Sequence, residues 1–265
     1  MVLQRVILTA IAILIGVLAM PTLADAPQVM PRIAIIIDDL GYGLAAGLRA
    51  LELPGPVGYA VLPVTPRGKA LAEMAHASGK EVLLHLPLQS AIQQEVDEPG
   101  ALLLDMTREQ FASTFAADFT SVPHIVGVNS HRGSLLTRHP GHMAWLMEEI
   151  QLRGELFFVD SYTTSGSVAL KLAHEAGVPA VRRDVFLDPD HAPGTVVREF
   201  RRLKKLARLR GFAIGIGHPY PETLTLLETE IPKLAVEGFE LISISRYIEL
   251  KNEFLTKTRG DEEAE

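Results

Sequence analysis

The sequence predicts an α/β fold, a single distorted (β/α) barrel of seven to eight parallel strands. Three observations predict it. Helical patterns end at a glycine and a short apolar strand follows, at Gly79, Gly154, Gly177, Gly211 and Gly238. Glycine just past a helix supplies the left-handed C-cap conformation. The strand segments are apolar on both faces, as parallel strands buried between a core and covering helices are. Finally, polar residues gather at the strand carboxyl ends, where parallel α/β folds bind ligands. A doubly wound open sheet is the alternative arrangement of the same pattern.

Taken in order, residues 1–24 read as a signal peptide. Arg5 precedes an apolar run from Val6 to Met20, Pro21 breaks it, and small residues follow up to Ala24. The run is short of the ~20 residues a bilayer-spanning helix needs. An uncleaved inner-membrane anchor is the alternative. Either way the chain is expected in the periplasm, and no other contact with a membrane is expected. Residues 25–31 form a short linker, 32–250 the barrel and 251–265 a polar, frayed tail. Strands are expected at 32–38, 57–62, 81–88, 124–129, 155–161, 178–188, 212–219 and 239–245. Helices are expected at 66–78, 107–120, 140–153, 165–176, 194–210 and 221–237. Thr107 and Gln110 fit a capping box, and Pro232 should divide the last of these helices.

Composition narrows the function. Hydrophobic residues make up 48% and charged residues 22%, a globular balance. A net charge of −7 argues against a nucleic-acid partner. With no cysteine, thiolate metal sites and cysteine nucleophiles are excluded, so any metal sits on His, Asp or Glu. The segment 198–210, REFRRLKKLARLR, carries seven basic residues. It reads as an amphipathic outer helix with a solvated basic face; docking to anionic lipid or wall polymer is the other reading.

The strand ends carry the chemistry. They hold Asp38-Asp39, His85, Asn129-Ser130-His131-Arg132, Asp160, Asp184, Asp188 and His218-Pro219-Tyr220. Of nine histidines, His85, His131 and His218 stand at this rim; the others fall on helix faces or in loops. One aspartate after a strand is an ordinary helix cap. Two acids behind five apolar residues cost desolvation unless they are paired or bind a cation. An aspartate with two histidines suits Zn²⁺ with an open position.

IIIDDLG, LLHLPL, GVNSHRGS, FFVDS and IGIGHP, in this order, resemble the divergent polysaccharide deacetylase family, within the NodB-type superfamily. The resemblance covers about residues 32–248. It implies a distorted barrel, a divalent metal such as zinc, and removal of N- or O-acetyl groups from sugars. By the same resemblance Asp38 is the catalytic base, Asp39 and His85 are metal ligands, His218 is the general acid and Asp160 the acid that tunes the site. The superfamily's second motif histidine would fall at position 89, which holds Gln89, and His131 within NSHRG is the replacement ligand. The remaining rim residues Asn129, Arg132 and Tyr220 are read as substrate-binding. The expected partner is an acetylated glycan or cell-wall polymer. Two other functions fit the sequence: a non-catalytic envelope glycan or protein binder on a degenerate barrel, and a glycosidase using two carboxylates.

Overall fold

The computed structural model describes residues 30–92, 98–190 and 192–262. The segment 1–24 read as a signal peptide, most of the linker 25–31 and His191 lie outside the described residues. The chain alternates β1 (Arg32–Leu40), α1 (Leu44–Leu51), β2 (Gly58–Val61), α2 (Gly68–Ala77), β3 (Val82–Leu88), α3 (Arg108–Ser121), β4 (Ile125–Arg132), α4 (Pro140–Gln151), β5 (Phe157–Asp160) and α5 (Ala169–Glu175). It continues with β6 (Ala180–Arg182), β7 (Val185–Phe186), α6 (Thr195–Arg210), β8 (Phe212–Gly217), α7 (Pro221–Glu230), β9 (Glu240–Leu241) and α8 (Ile244–Glu262).

The strands pair in parallel along the order β6-β5-β4-β3-β2-β1-β8-β7, with β9 beside β1. This is the expected distorted barrel, though the sheet has nine strands where seven to eight were expected. The strand expected at 178–188 is two short strands at opposite ends of the order: β6 pairs with β5 and β7 with β8. The split falls at adjacent residues, because the Arg183 amide donates to the Asp160 carbonyl while the Asp184 amide donates to Ile214. Among the described residues no ladder joins β6 to β7, so the barrel has a seam there.

Side chains alternate across each strand. Ile33, Ile35 and Ile37 of β1, Leu84 and Leu86 of β3, Val128 of β4 and Phe158 of β5 face outward, into a core shared with α1–α7. Ala34, Ile36, Leu83, Val159, Ile214 and Ile216 face inward and pack with Ile244, Tyr247 and Ile248 of α8. The Glu81 carboxylate accepts from the Ile244 amide at 2.7 Å, anchoring the start of that helix. α8 extends to Glu262, through most of the segment read as a polar tail.

Thr107 and Gln110 form the expected capping box. α7 ends at Glu230, and Pro232 sits in the short 3₁₀ turn that follows. α6 buries Val196, Phe200, Leu203 and Ala207 against the barrel. Much of its basic face is ion-paired, Lys204 to Glu237 at 2.8 Å and Arg202 to Glu199 at 3.2 Å among others. No helix among the described residues is long and apolar enough to cross a membrane.

Candidate active site

Adjacent residues of a regular strand point to opposite faces, so one strand end cannot ordinarily present two neighbouring aspartates to one site. β1 does so through a register irregularity between Ile37 and Leu40 and a left-handed backbone at Asp39, φ 58°. Bulges of this kind re-aim side chains beside active sites. Arg132, just after His131, has φ 53°. Strained positions cluster where the surrounding structure holds them for function.

Inward parity carries Asp38, His85, Asn129 and His218 from four strands to the rim, where Asp39 and His131 join them. His85 Nε2 lies 3.0 Å from Asp39 Oδ1, His131 Nδ1 lies 3.1 Å from the same oxygen, and the two nitrogens are 3.0 Å apart. Asp39 Oδ1 is buried and makes no well-directed hydrogen bond. Three lone-pair atoms of His and Asp type, mutually about 3 Å apart, suit one small divalent ion with its ligands at about 2 Å. No other such trio of acids and histidines occurs among the described residues. The residues present therefore fit the metal that the fold family implies.

Flanking groups orient these atoms. Asn129 is fully buried; its Oδ1 stands 2.9 Å from His85 Nδ1 and its Nδ2 donates to Asp38 Oδ1 at 2.7 Å. Both ends of the amide are used, so Asn129 positions Asp38 and His85 and is not the substrate contact expected from the sequence. With Nδ1–H given to Asn129, His85 presents the Nε2 lone pair to the cluster. His218 is held by Asp188: Nδ1 is 2.9 Å from Oδ1, while the His218 amide and the Thr223 hydroxyl each donate to Oδ2 at 2.7 Å. His218 Nε2 thereby faces Asp39 Oδ2 at 3.7 Å.

The electrostatics separate the two aspartates. Burial pushes the Asp38 carboxyl up, against the pull of His85, His218 and the Asn129 bond. Burial would do the same to Asp39, but His131 and His85 outweigh it and hold that carboxyl far below the usual range. Burial lowers His85, yet Asp38 and Asp39 push it up to about 9. The acid pair thus demands positive charge at this spot. Burial also works to lower His218, and the Asp188 bond with Asp39 raises it on balance.

Asp160 departs from its expected place. It follows Phe158 by two residues, so it points outward with that side chain. Its carboxylate accepts from the Tyr162 amide at 2.9 Å and the Ser167 hydroxyl at 2.7 Å. It organises the loop after β5, and it is Asp188 that holds His218. Gln89 is scaffold: its side-chain oxygen accepts from the Leu104 amide at 2.8 Å. Tyr220 lies beside His218, ring centres 5.2 Å apart, in a cleft shared with Tyr162, Arg183 and Phe186. Arg132 stands at the rim and reaches Glu98 at 3.4 Å.

Sequence reasoning gave no role to Arg183, Glu98 or Tyr42. Arg183 sits in the seam, donates to the Ser161 and Tyr162 carbonyls at 2.6 and 3.0 Å, and carries its charge toward Asp38 and Asp160. Glu98 accepts from the Tyr42 hydroxyl at 2.9 Å above the cluster. None of the three lies within a motif of the sequence, so no pattern marked them.

Residues 35–248 match the family model of divergent polysaccharide deacetylases. The chain belongs to that family. It is 34% identical over 210 residues to the uncharacterized protein YibQ of Escherichia coli strain K12, covering 79% of this chain. That match spans 65% of the relative, just under two thirds of its length. An uncharacterized protein of Haemophilus influenzae is 34% identical over 213 residues, 80% of this chain and 75% of the relative. Among solved structures, an uncharacterized protein from Agrobacterium tumefaciens C58 superposes with a TM-score of 0.78 at 21% identity, over 83% of this chain and 90% of that one. A mutant of the peptidoglycan deacetylase PdaC from Bacillus subtilis superposes at 0.51 and 14% identity, over 88% and 97%. At these identities the family member shares with both the distorted barrel fold.

Proposed function

We propose that this protein is an exported, metal-dependent hydrolase that removes acetyl groups from an envelope glycan in the periplasm. One observation carries the reading: Asp39 Oδ1, His85 Nε2 and His131 Nδ1 converge, with Asp38 Oδ2 3.6 Å from His85 Nε2 and His218 Nε2 3.7 Å from Asp39 Oδ2. Peptidoglycan deacetylases share the barrel, which supports an acetylated sugar polymer as substrate class. The apolar run from Val6 to Met20 supports export.

Asp39, His85 and His131 would hold the ion, with zinc the best fit to two imidazoles and a carboxylate. Such an ion supplies Lewis-acid chemistry, polarising an acyl carbonyl and acidifying water. The protein does the rest. Asp38, buried and oriented by Asn129, takes the proton of the attacking water. Asp188 fixes His218 with Nδ1–H inward, and its charge favours the imidazolium. His218 Nε2–H then protonates the departing amine or alkoxide. The faces of Tyr162, Phe186 and Tyr220 offer stacking surface for a sugar ring.

The test is acetate release from N-acetyl and O-acetyl glycans by the purified protein. Asp38→Asn should abolish most turnover. His218→Ala should cost more on N-acetyl amides than on esters, which need less proton donation. No acetate from any acetylated glycan would put the non-catalytic binder forward; chain scission would put the glycosidase forward.

A further inference from the structure

Each histidine at this centre needs its outer nitrogen satisfied, since metal-ligating imidazoles almost always donate that N–H to a carboxylate, carbonyl or water. His85 has Asn129. His218 has Asp188. His131 is the exception. Its Nδ1 faces Asp39 and His85, and its Nε2 is buried without a hydrogen-bond partner. An orphaned donor there costs free energy unless an acceptor reaches it.

The carboxylate of Glu98 is placed to be that acceptor. Its Oε1 stands 3.9 Å from His131 Nε2, an ion-pair separation about an ångström beyond a hydrogen bond. Two side chains from different elements hold it there. The Tyr42 hydroxyl donates to Oε2 at 2.9 Å, and the Arg132 guanidinium lies 3.4 Å from Oε1. Tyr42 follows the aspartate pair on the chain, and Arg132 follows His131. The group that holds Glu98 is thus tied to the strand ends that carry the proposed ligands.

We propose that Glu98 is the positioning carboxylate of His131: it accepts from Nε2–H, fixes the tautomer, and turns the Nδ1 lone pair toward Asp39 and His85. Glu98 touches neither substrate nor reacting atoms. It acts through His131, on the affinity and geometry of the ligand set. This rests on the reading that Asp39, His85 and His131 hold a divalent ion.

The experiment measures zinc affinity of the purified protein by competition with a chromophoric chelator, and the His131 tautomer by long-range ¹H–¹⁵N correlation on metal-free protein. Glu98→Gln keeps shape and the Tyr42 contact but removes the charge. It should weaken zinc binding roughly 10- to 100-fold, with an unchanged unfolding transition. His131 should carry its proton on Nε2 in the parent protein and lose that preference in the variant. Tyr42→Phe, which leaves the carboxylate but frees it, should move both readouts in the same direction and less far. It serves if Glu98→Gln fails to fold. Zinc affinity within twofold of the parent, or a parent His131 protonated on Nδ1, overturns the role of Glu98 alone. A parent protein that binds no zinc overturns the metal reading and this role with it.

Discussion

Asp188 grips His218 twice, through the imidazole Nδ1 at 2.9 Å and the backbone amide at 2.7 Å. Its second oxygen also takes the Thr223 hydroxyl at 2.7 Å. A carboxylate so occupied is fixed in place, and it fixes both the ring orientation and the tautomer of its histidine.

Asp188→Asn should therefore cost roughly 10²- to 10⁴-fold in acetate release, the range of general acid–base catalysis, while metal content holds. The loss should fall on N-acetyl substrates more than on O-acetyl ones. Combined with His218→Ala it should add little, because the two act as a unit. Full additivity in that cycle would separate them.

Asp160→Asn should behave differently. Its carboxylate serves the Tyr162 amide and the Ser167 hydroxyl. Loss of charge there should cost about 1–3 kcal/mol of stability and less than tenfold in turnover. Urea unfolding beside an activity assay decides it. A loss of turnover matching Asp188→Asn, with stability intact, would return Asp160 to the catalytic group.

Asn129→Ala should damage two functions at once, since one amide orients both Asp38 and His85. Metal affinity should fall about 10- to 100-fold and turnover by more than the metal loss explains. Turnover at saturating metal separates the parts; full recovery there would mean that Asn129 does not serve Asp38.

A pH dependence arises away from the site. Asp118 of α3 is buried, and burial pushes its carboxyl up to about 8 from 3.8. The folded state then holds a proton that the unfolded state releases above its own lower value. The contribution of Asp118 to stability is therefore fully present below about pH 4 and is lost as pH rises toward 8. Asp118→Asn should flatten that slope, gaining of order 1–3 kcal/mol at pH 8 relative to pH 5 against the parent. Equal slopes in parent and variant would show that Asp118 is ionised in the fold.

Much of this was legible in the sequence, for identifiable reasons. Glycine-terminated helices and two-sided apolar strands mark the barrel, and strand ends mark the rim, so the sequence alone gathers Asp38, Asp39, His85, His131 and His218. What failed was finer. In FFVDS, the period of two places Asp160 with Phe158 on the outer face, and that parity could have excluded it. In the continuous run VPAVRRDVFLD no residue announces the seam, because the split depends on which neighbours Arg183 and Asp184 find. Asn129 reads as a polar rim residue until its two partners, 44 and 91 residues away along the chain, are seen. Glu98 lies in a loop, and only tertiary structure brings it over His131.

The central claim is that Asp39, His85 and His131 form one metal centre although Gln89 stands where the superfamily places a histidine. Zinc stoichiometry of the dialysed protein, by elemental analysis of parent and variants, tests it most directly. The account predicts one ion per chain, lost in Asp39→Ala, His85→Ala and His131→Ala with the fold intact, and kept in Asp38→Asn and His218→Ala. Zinc retained in His131→Ala, or absent from the parent under every loading condition, would contradict it.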